Sequence, residues 1–329
     1  MKLLCSWKRQ EWKLSDGPRL LILKNGKKSG KPLPRLLKPK MLTIYAPAKI
    51  NLVLEVLGKC DNYHRIYSIF QAINLCDILK FQAGEEISLK CAEPDLECDN
   101  LVVKAAELLR EVKGCDKGAQ IKLHKYIPWG VGLGGGSSDA AATLLALNKL
   151  WGLELSDSEL VHIASRLGSD VPFFIHGGTA LVEGKGEKIT PLLPLPLTWF
   201  VLVVPPLPKI PEKTAQMYRK LNSRHFTEGQ FVNAALSCLR QGQIDISLTF
   251  NVFENLVFDV FPGLEEYRRR FKEAGAPMVC LTGSGPCLFT ILQEEEKARE
   301  LCLRLKRQGL DSLIVNSLKS NDSRLKTND

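Results

Sequence analysis

An α+β fold in two parts follows from three observations on this 329-residue chain. Residues 41–195 mix long β-rich runs with amphipathic helices. Within them, a glycine-rich stretch stands directly between a strand pattern and a strong helix pattern. Beyond the proline-rich stretch PLLPLPLTW, the order strand, helices, strand pair, helix, strand predicts a second α+β half with its helices on one sheet face.

From Met41, LTIYAPAKINLVLEVLG alternates and is rich in β-branched residues, with Pro47 marking a bend. The polar turn KCDNYH leads to a second strand run, IYSIFQAINLCDILKF, and then to EISLKC. DNLVVKAAELLREVKG predicts a helix with Asp99 or Asn100 as N-cap, a stripe of Leu101, Ala105, Leu108 and Val112, and Gly114 after its end. GAQIKLHKYIP reads as a strand and SSDAAATLLALNKLWG as a helix with Ala140, Leu144, Leu147 and Trp151 on one face. In SDSELVHIASRLG, Ser156 and Glu159 form a capping box. Short strands are expected around FFIHGG and TALVEG. The second half adds a strand (FVLVVP) and helices near 212–221, 229–239, 250–258 and 263–275. It ends with the strand pair of MVCLTGSGPCLFTILQ, the charged helix EEEKARELCLRLKRQG, a last strand LDSLIVNSL and a polar tail over 319–329 expected to fray.

Apolar residues at 45% and charged residues at 25% are ordinary globular values and argue against a disordered or fibrous chain. No run approaches the roughly 18–20 uncharged apolar residues of a membrane-spanning helix. The formal charge of +9 points at first to a polyanion. Residues 1–40, however, hold twelve Lys or Arg against two acids, leaving 33 basic and 34 acidic residues for 41–329. The basicity therefore belongs to one terminal segment and the body is near neutral. That segment lacks the apolar h-region of a secretory signal and is poor in Ser for a transit peptide. It is read as an extension outside the fold, with an organelle address or a nucleic-acid arm as alternatives. Ten cysteines without a CxxC pair read as reduced thiols rather than a zinc or iron–sulfur site.

Chemistry concentrates in Pro128-Trp-Gly-Val-Gly-Leu-Gly-Gly-Gly-Ser-Ser-Asp-Ala-Ala141. Gly130, Gly132, Gly134, Gly135 and Gly136 free the backbone and remove side chains that would hold a ligand away. The loop ends at a helix N-terminus, whose free N–H groups favour an anion, and Ser137 and Ser138 add hydroxyls. This describes a phosphate cradle. A dinucleotide fold would need a second strand ending in an acidic residue about 20 positions on, where this chain is helical, and a P-loop would need a Lys after its last Gly. A flexible linker is disfavoured by the strand and helix signals pressed against the glycines.

PWGVGLGGGSSDAA resembles the ATP-binding motif of the GHMP small-molecule kinases. APAKINLVLEVLGK with Tyr63-His64 after it, GSDVPFFIHGGTALVEGKGE and LTGSGPCLFTIL resemble further motifs of the branch that acts on a cytidine-diphosphate-linked sugar alcohol, in the same order. With NLVVKAAELL, the resemblance covers most of residues 43–292.

The resemblance implies a two-domain GHMP kinase fold: a ribosomal-protein-S5-like N-terminal domain over 41–195 and a ferredoxin-like C-terminal domain over 196–318, with the active site between them. It implies ATP-dependent phosphorylation of the 2-hydroxyl of a cytidylated methylerythritol, on the non-mevalonate route to isoprenoid precursors. Asp170 matches the family's catalytic aspartate, a carboxylate that takes the acceptor's proton. Lys49 matches the lysine that keeps it ionised. Pro128, Gly130, Gly132, Leu133, Gly134, Gly135, Gly136, Ser137 and Ser138 match the ATP loop. Tyr63 and His64 match the cytosine pocket, and Thr214 with Tyr218 four residues on resembles its second wall. Asn51 is a candidate partner for the substrate's diol or phosphates. Gly283, Ser284 and Gly285 match the loop that closes against the phosphate loop. Mg2+ is expected with ATP, its direct ligands open, with Ser137 and Ser138 as candidates.

Three positions depart from the family pattern. Asn62 stands where Gly is common, bulky Trp129 lies beside the phosphate loop, and Pro286 stands where Ala is frequent; none removes a reacting group. The expected partners are ATP and the cytidylated alcohol, with neither nucleic acid nor membrane, in a monomer or weak homodimer. The expected setting is the bacterial cytoplasm, or a plastid stroma if the extension is a transit peptide. Other GHMP kinases of homoserine or mevalonate type, a non-catalytic sensor on the same fold, and an RNA-binding protein remain as alternatives.

Deleting residues 1–40 is expected to leave turnover intact and to abolish any RNA affinity seen in the full chain. A truncated body that still binds RNA with steep salt dependence in a filter-binding titration would contradict this.

Overall fold

Two long antiparallel strands, β1 (Met41–Cys60) and β2 (Tyr63–Gly84), form the spine of the first half. The computed structural model describes residues 41–61, 63–92, 100–242, 244–319 and the backbone of 325–328. The basic extension 1–40, Asn62 and the alternative cap Asp99 lie outside the described residues. β3 (Ile87–Cys91) leads through α1 (Leu101–Lys113) to β4 (Gly118–His124), which lies parallel to β3 and antiparallel to β2. Asn100 caps α1 by accepting from the Val102 N–H at 2.9 Å, and Gly114 ends it at a left-handed φ of 56°. The buried stripe is Val102, Ala105, Ala106 and Leu109, so the expected face is turned by about one residue and Val112 is exposed.

α2 (Gly135–Trp151) packs against β1, β2 and α1. Its expected stripe is buried, but so are Ala141, Ala142 and Ala146, because small side chains let neighbours approach from several sides. α3 (Asp157–Ser165) begins at the expected capping box: the Ser156 N–H donates to Glu159 Oε2 at 2.8 Å, and Glu159 N–H to Ser156 Oγ at 3.4 Å. The FFIH segment, expected as a strand, is a single helical turn, α4 (Phe173–His176). Its short apolar run carries no period that separates strand from helix, and the preceding Pro172 already has helical dihedrals. β5 (Thr179–Gly184) pairs with Ile66–Gln71 of β2 and with β6 (Lys188–Pro191).

The second half starts with β7 (Trp199–Val203), α5 (Lys213–Lys220) and α6 (Gln230–Arg240). The helix expected over 250–258 is instead β8 (Phe250–Asn251), a 3-10 turn at Val252–Asn255 and α7 (Val257–Val260). The cause is Asn251, whose side chain accepts from the Phe253 N–H at 3.0 Å and donates to Leu281 O and Gly283 O at 2.9 Å each, so it cannot sit inside a regular helix. α8 (Leu264–Glu273), β9 (Cys280–Leu281), β10 (Leu288–Leu292), α9 (Glu295–Arg307) and β11 (Ser312–Asn316) follow. The final strand, β12 (Leu325–Asn328), runs antiparallel to the start of β1 from within the stretch read as a polar tail. β11-β7-β10-β9 form an antiparallel sheet in the order fourth, first, third, second, the order of a ferredoxin-like half. α9 covers it with Ala298, Leu301 and Leu305.

The register of β1 against β2 shifts between Pro47 and Ala48 and again between Asn51 and Val53. Leu42, Ile44 and Ala46 belong to the core cluster under the helices, and so do Leu54 and Val56. Between the two shifts, Ala48, Ile50 and Leu52 join a second cluster with Phe200, Leu202 and Phe289 of the other sheet. An unbroken strand would keep all these even-numbered residues on one face; irregularities of this kind change the face. The consequence is that Lys49, which would point away, turns toward Phe70 and Gly134, and Asn51 toward Ser68 and Gly283.

Ile50 is fully buried between the two sheets. Ile50→Ala is expected to destabilise the fold by about 2–5 kcal/mol in urea unfolding; an unchanged midpoint would contradict the second core.

Candidate active site

The glycine-rich loop turns by left-handed backbone at Gly130, Gly132 and Gly134, with φ of 77°, 97° and 72°. A Cβ on Gly132 would lie 2.3 Å from Thr282 O, and one on Gly134 would lie 2.9 Å from the Phe174 ring and 3.1 Å from Lys49 Cγ. The absent side chains are thus what let the loop approach the Thr282–Pro286 loop on one side and Lys49 on the other. Cys287 N–H donates to Val131 O at 3.2 Å and Lys49 N–H to Leu133 O at 2.9 Å, fixing the approach. Gly134 is the N-cap of α2 and offers no side-chain acceptor, so the first N–H groups of a 17-residue helix are left for an anion. Gly136 is exposed, Ser137 half-buried, and Ser138 buried with no partner for its Oγ among the described residues. Pro128 precedes the turn and Leu133 is buried beneath it.

Lys49 is 3% exposed. Its Nζ donates to Asn51 Oδ1 at 2.7 Å, sits 4.4 Å from the centre of the Phe70 ring and lies 3.5 Å from Asp170 Oδ2. Burial lowers its pKa, and the Asp170 carboxylate opposes that. Asp170 stands in the turn before α4, its side chain 34% exposed and so open to a reactant. The next turn needs Gly186, since a Cβ there would meet Ser169 at 3.0 Å. Asn51 also takes the Gly283 N–H at 2.9 Å and donates to Ser68 Oγ at 3.2 Å, while its own N–H reaches Thr282 Oγ1 at 3.1 Å. Its amide therefore holds Lys49 and the closing loop together. Asn251 grips the same Gly283 from the other side.

Behind the loop lies a charged group that motif reading passed over. Lys125 bridges Asp77 and Asp139, at 2.7 Å from Asp139 Oδ2, and Asp77 Oδ1 accepts the Ile127 N–H at 2.8 Å just before the loop begins. Burial pushes Asp139 up to about 8 against the pull of Lys125. Burial alone would lower the Lys125 pKa, but the two carboxylates outweigh it and raise it. Lys213 is a second omission: its Nζ donates to Gly130 O at 3.0 Å and to Gly285 O. The adjacent Thr214 Oγ1 lies 3.0 Å from Ser284 Oγ.

The aromatic pocket is only partly as expected. His64 and Tyr218 lie 5.2 Å apart between ring centres, Phe226 is 6.1 Å from His64, and Phe253 is edge-on to Tyr218 at 5.0 Å. Tyr63 touches none of these rings; it is 55% exposed with Lys185 Nζ 3.9 Å above its face. Phe226 had no motif to mark it. Burial, and then Lys59, lower the His64 pKa and favour the neutral ring. Burial, and then the charge of Asp170, hold the Tyr218 phenol well above its usual range. Among the described residues no group of three His, Cys, Asp or Glu could hold a metal by itself, and no helix is long and apolar enough to cross a membrane.

Comparison with known proteins bears on the family and the fold. Residues 100–178 match the GHMP kinases N terminal domain and residues 234–311 the GHMP kinases C terminal domain. A 4-diphosphocytidyl-2-C-methyl-D-erythritol kinase of Dehalococcoides mccartyi is 45% identical over 280 residues, 84% of this chain and 99% of that protein. One of Pelotomaculum thermopropionicum is 40% identical over 84% of this chain and 97% of that protein. A crystal structure of 4-(cytidine 5'-diphospho)-2C-methyl-D-erythritol kinase superposes with a TM-score of 0.71 at 35% identity, over 84% of this chain and 98% of that one. Homoserine kinase from Cytophaga hutchinsonii, at 18% identity, a TM-score of 0.67 and 91% and 100% coverage, shares the fold.

Lys125→Met leaves the buried Asp77 carboxylate without its counter-charge and Asp139, already pushed toward its neutral form, without its ammonium partner, and is expected to cost about 3–5 kcal/mol in chemical unfolding. Adding Asp139→Asn should recover part of the loss. No loss in the single variant would mean that the triad carries no charge at neutral pH.

Proposed function

The chain belongs to the 4-diphosphocytidyl-2-C-methyl-D-erythritol kinase family of GHMP kinases, and on that premise we propose how its residues divide the reaction. It is a small-molecule kinase that uses ATP to phosphorylate the 2-hydroxyl of 4-diphosphocytidyl-2-C-methyl-D-erythritol, giving the 2-phosphate and ADP on the methylerythritol phosphate route to isoprenoid precursors.

The observation that carries the assignment of roles is the buried Lys49 ammonium 3.5 Å from an accessible Asp170 carboxylate, next to the start of α2. Asp170 accepts the proton of the acceptor hydroxyl as its oxygen attacks the γ-phosphorus. The bond from that phosphorus to the β,γ-bridging oxygen breaks and ADP leaves. Lys49, kept out of water, favours the ionised Asp170 and stabilises charge gathering on the entering oxygen. Gly130 to Ser138 receive the ATP phosphates through backbone N–H groups, which demand no reorganisation because the loop is already fixed by its two neighbours. Asn51 acts through its hydrogen bonds to Lys49 and Gly283, which set the ammonium's direction.

Mg2+ accompanies ATP in this reading and offsets phosphate charge when bound. The donor set fits a hard ion carried mainly by the nucleotide: the unpartnered buried Oγ of Ser138, the Ser137 hydroxyl and the Asp170 carboxylate are the oxygens at hand. His64, Tyr218 and Phe226 form the cytosine pocket, the neutral His64 ring offering one donor and one acceptor to the base edge. Tyr63, adjacent in sequence to His64 but exposed beneath Lys185, is proposed as the outer wall that meets the base when it binds. Thr214, tied to Ser284, braces the pocket against the closing loop. In this reading the enzyme works as a monomer or weak homodimer.

Asp170→Asn is expected to lower kcat by about 10²–10⁴-fold while a non-hydrolysable ATP analogue binds almost as before. Unchanged turnover would remove Asp170 from the chemistry. In an acceptor panel, turnover of homoserine or mevalonate with an inert cytidylated alcohol would overturn the substrate assignment.

A further inference from the structure

We infer that Lys213, which no motif marks, is a positioning residue of the phosphoryl-transfer site: its ammonium fastens the phosphate loop to the Thr282–Pro286 loop and supplies an uncompensated positive charge for the ATP phosphates. The inference rests on the kinase reading above, and the geometry of the residue carries it. Lys213 is 9% exposed, at the start of α5. Its Nζ donates to Gly130 O at 3.0 Å and to Gly285 O, one carbonyl from each loop, and no carboxylate pairs with it among the described residues. An ammonium has three donors, so one remains without an acceptor there.

A cation out of water without a counter-charge is costly, and two carbonyl dipoles compensate it only in part. The charges around it sharpen the point. From β1 it faces Lys49, a second buried cation; Asp170 is engaged with Lys49. From the far end of the closing loop it faces Cys287, whose thiol burial pushes up to about 12 and so keeps neutral. On its own helix Tyr218 is likewise held neutral by burial. Among the described residues, and apart from Lys125, which Asp77 and Asp139 compensate behind the loop, the cleft thus sets the Lys49 and Lys213 ammonium groups against the Asp170 carboxylate, beside the helix N-terminus where an anion is expected. An anionic phosphate chain is the compensation the site lacks. Burial, and then Lys49, lower Lys213 to about 8, so it is charged below that pH and becomes neutral above it; a bound anion restores the proton.

The test is calorimetric binding of a non-hydrolysable ATP analogue to the full chain, which needs no acceptor alcohol. Lys213→Met is expected to weaken binding by about tenfold or more, and Lys213→Arg to restore most of it. Wild-type affinity should fall as pH rises from about 7 to 9, with a component that is absent in Lys213→Arg, whose charge persists there. Asp139 titrates in the same range, and the arginine variant removes only the Lys213 share. Equal affinities of wild type and Lys213→Met with the same pH profile would overturn the inference. If the methionine variant does not fold, a wild-type profile identical to that of Lys213→Arg would overturn it equally. Tight analogue binding by a wild type that fails to phosphorylate the cytidylated alcohol would sink the substrate reading and leave Lys213 standing.

Discussion

The exchange of faces along β1 is the constraint on which the rest of the site depends. Between the register shifts at Pro47/Ala48 and Asn51/Val53, three apolar side chains turn into the core shared with the second sheet, and Lys49 and Asn51 turn toward the phosphate loop. Once Asn51 points that way, its amide reaches both Lys49 and Gly283, and Asn251 completes the grip on the closing loop. The same five-residue stretch that binds the two halves through Ala48, Ile50 and Leu52 therefore also aims the ammonium of Lys49 at Asp170. Stability and chemistry share one short stretch of strand, and neither is independent of the other.

Three buried lysines around the loop are compensated to three different degrees, and the differences assign their tasks. Lys125 has two carboxylates and is a strut, holding the strand that feeds the loop to the helix that leaves it. Lys49 has one carboxylate at 3.5 Å and an aromatic face, enough to stay charged yet free to respond to charge on a reactant. Lys213 has only carbonyls. Positive potential thus rises toward the place where ATP phosphates would sit, although residues 41–329 as a whole are near neutral. Local arrangement, not net charge, produces the field.

Legibility followed the range of the signals. The glycine-rich turn into α2 was readable from composition, because five glycines closely spaced at a helix start mark a tight backbone turn, and the Ser156 capping box was readable because both partners lie within one turn. The roles proposed for Lys49, Asp170, His64 and Tyr218 rest on resemblance, since nothing local in a strand lysine or a turn aspartate announces them. What failed to show depends on distant partners. The face change of β1 is decided by its pairing with β2, Asn251 breaks an expected helix to reach a loop some thirty residues on, and Phe226 joins His64 only through the fold. FFIH forms a helical turn where a strand is expected, because three apolar residues and a histidine fit either equally well.

The central claim is that Asp170, aimed by Lys49, meets the acceptor hydroxyl in front of a phosphate chain anchored at Gly130 to Ser138. A crystal structure with a non-hydrolysable ATP analogue and the cytidylated alcohol tests it most directly. The account predicts the 2-hydroxyl oxygen within about 3 Å of an Asp170 oxygen and in line with the γ-phosphorus, with cytosine against His64 and Tyr218. A hydroxyl out of hydrogen-bond reach of Asp170, or a base lodged outside that pocket, would contradict it.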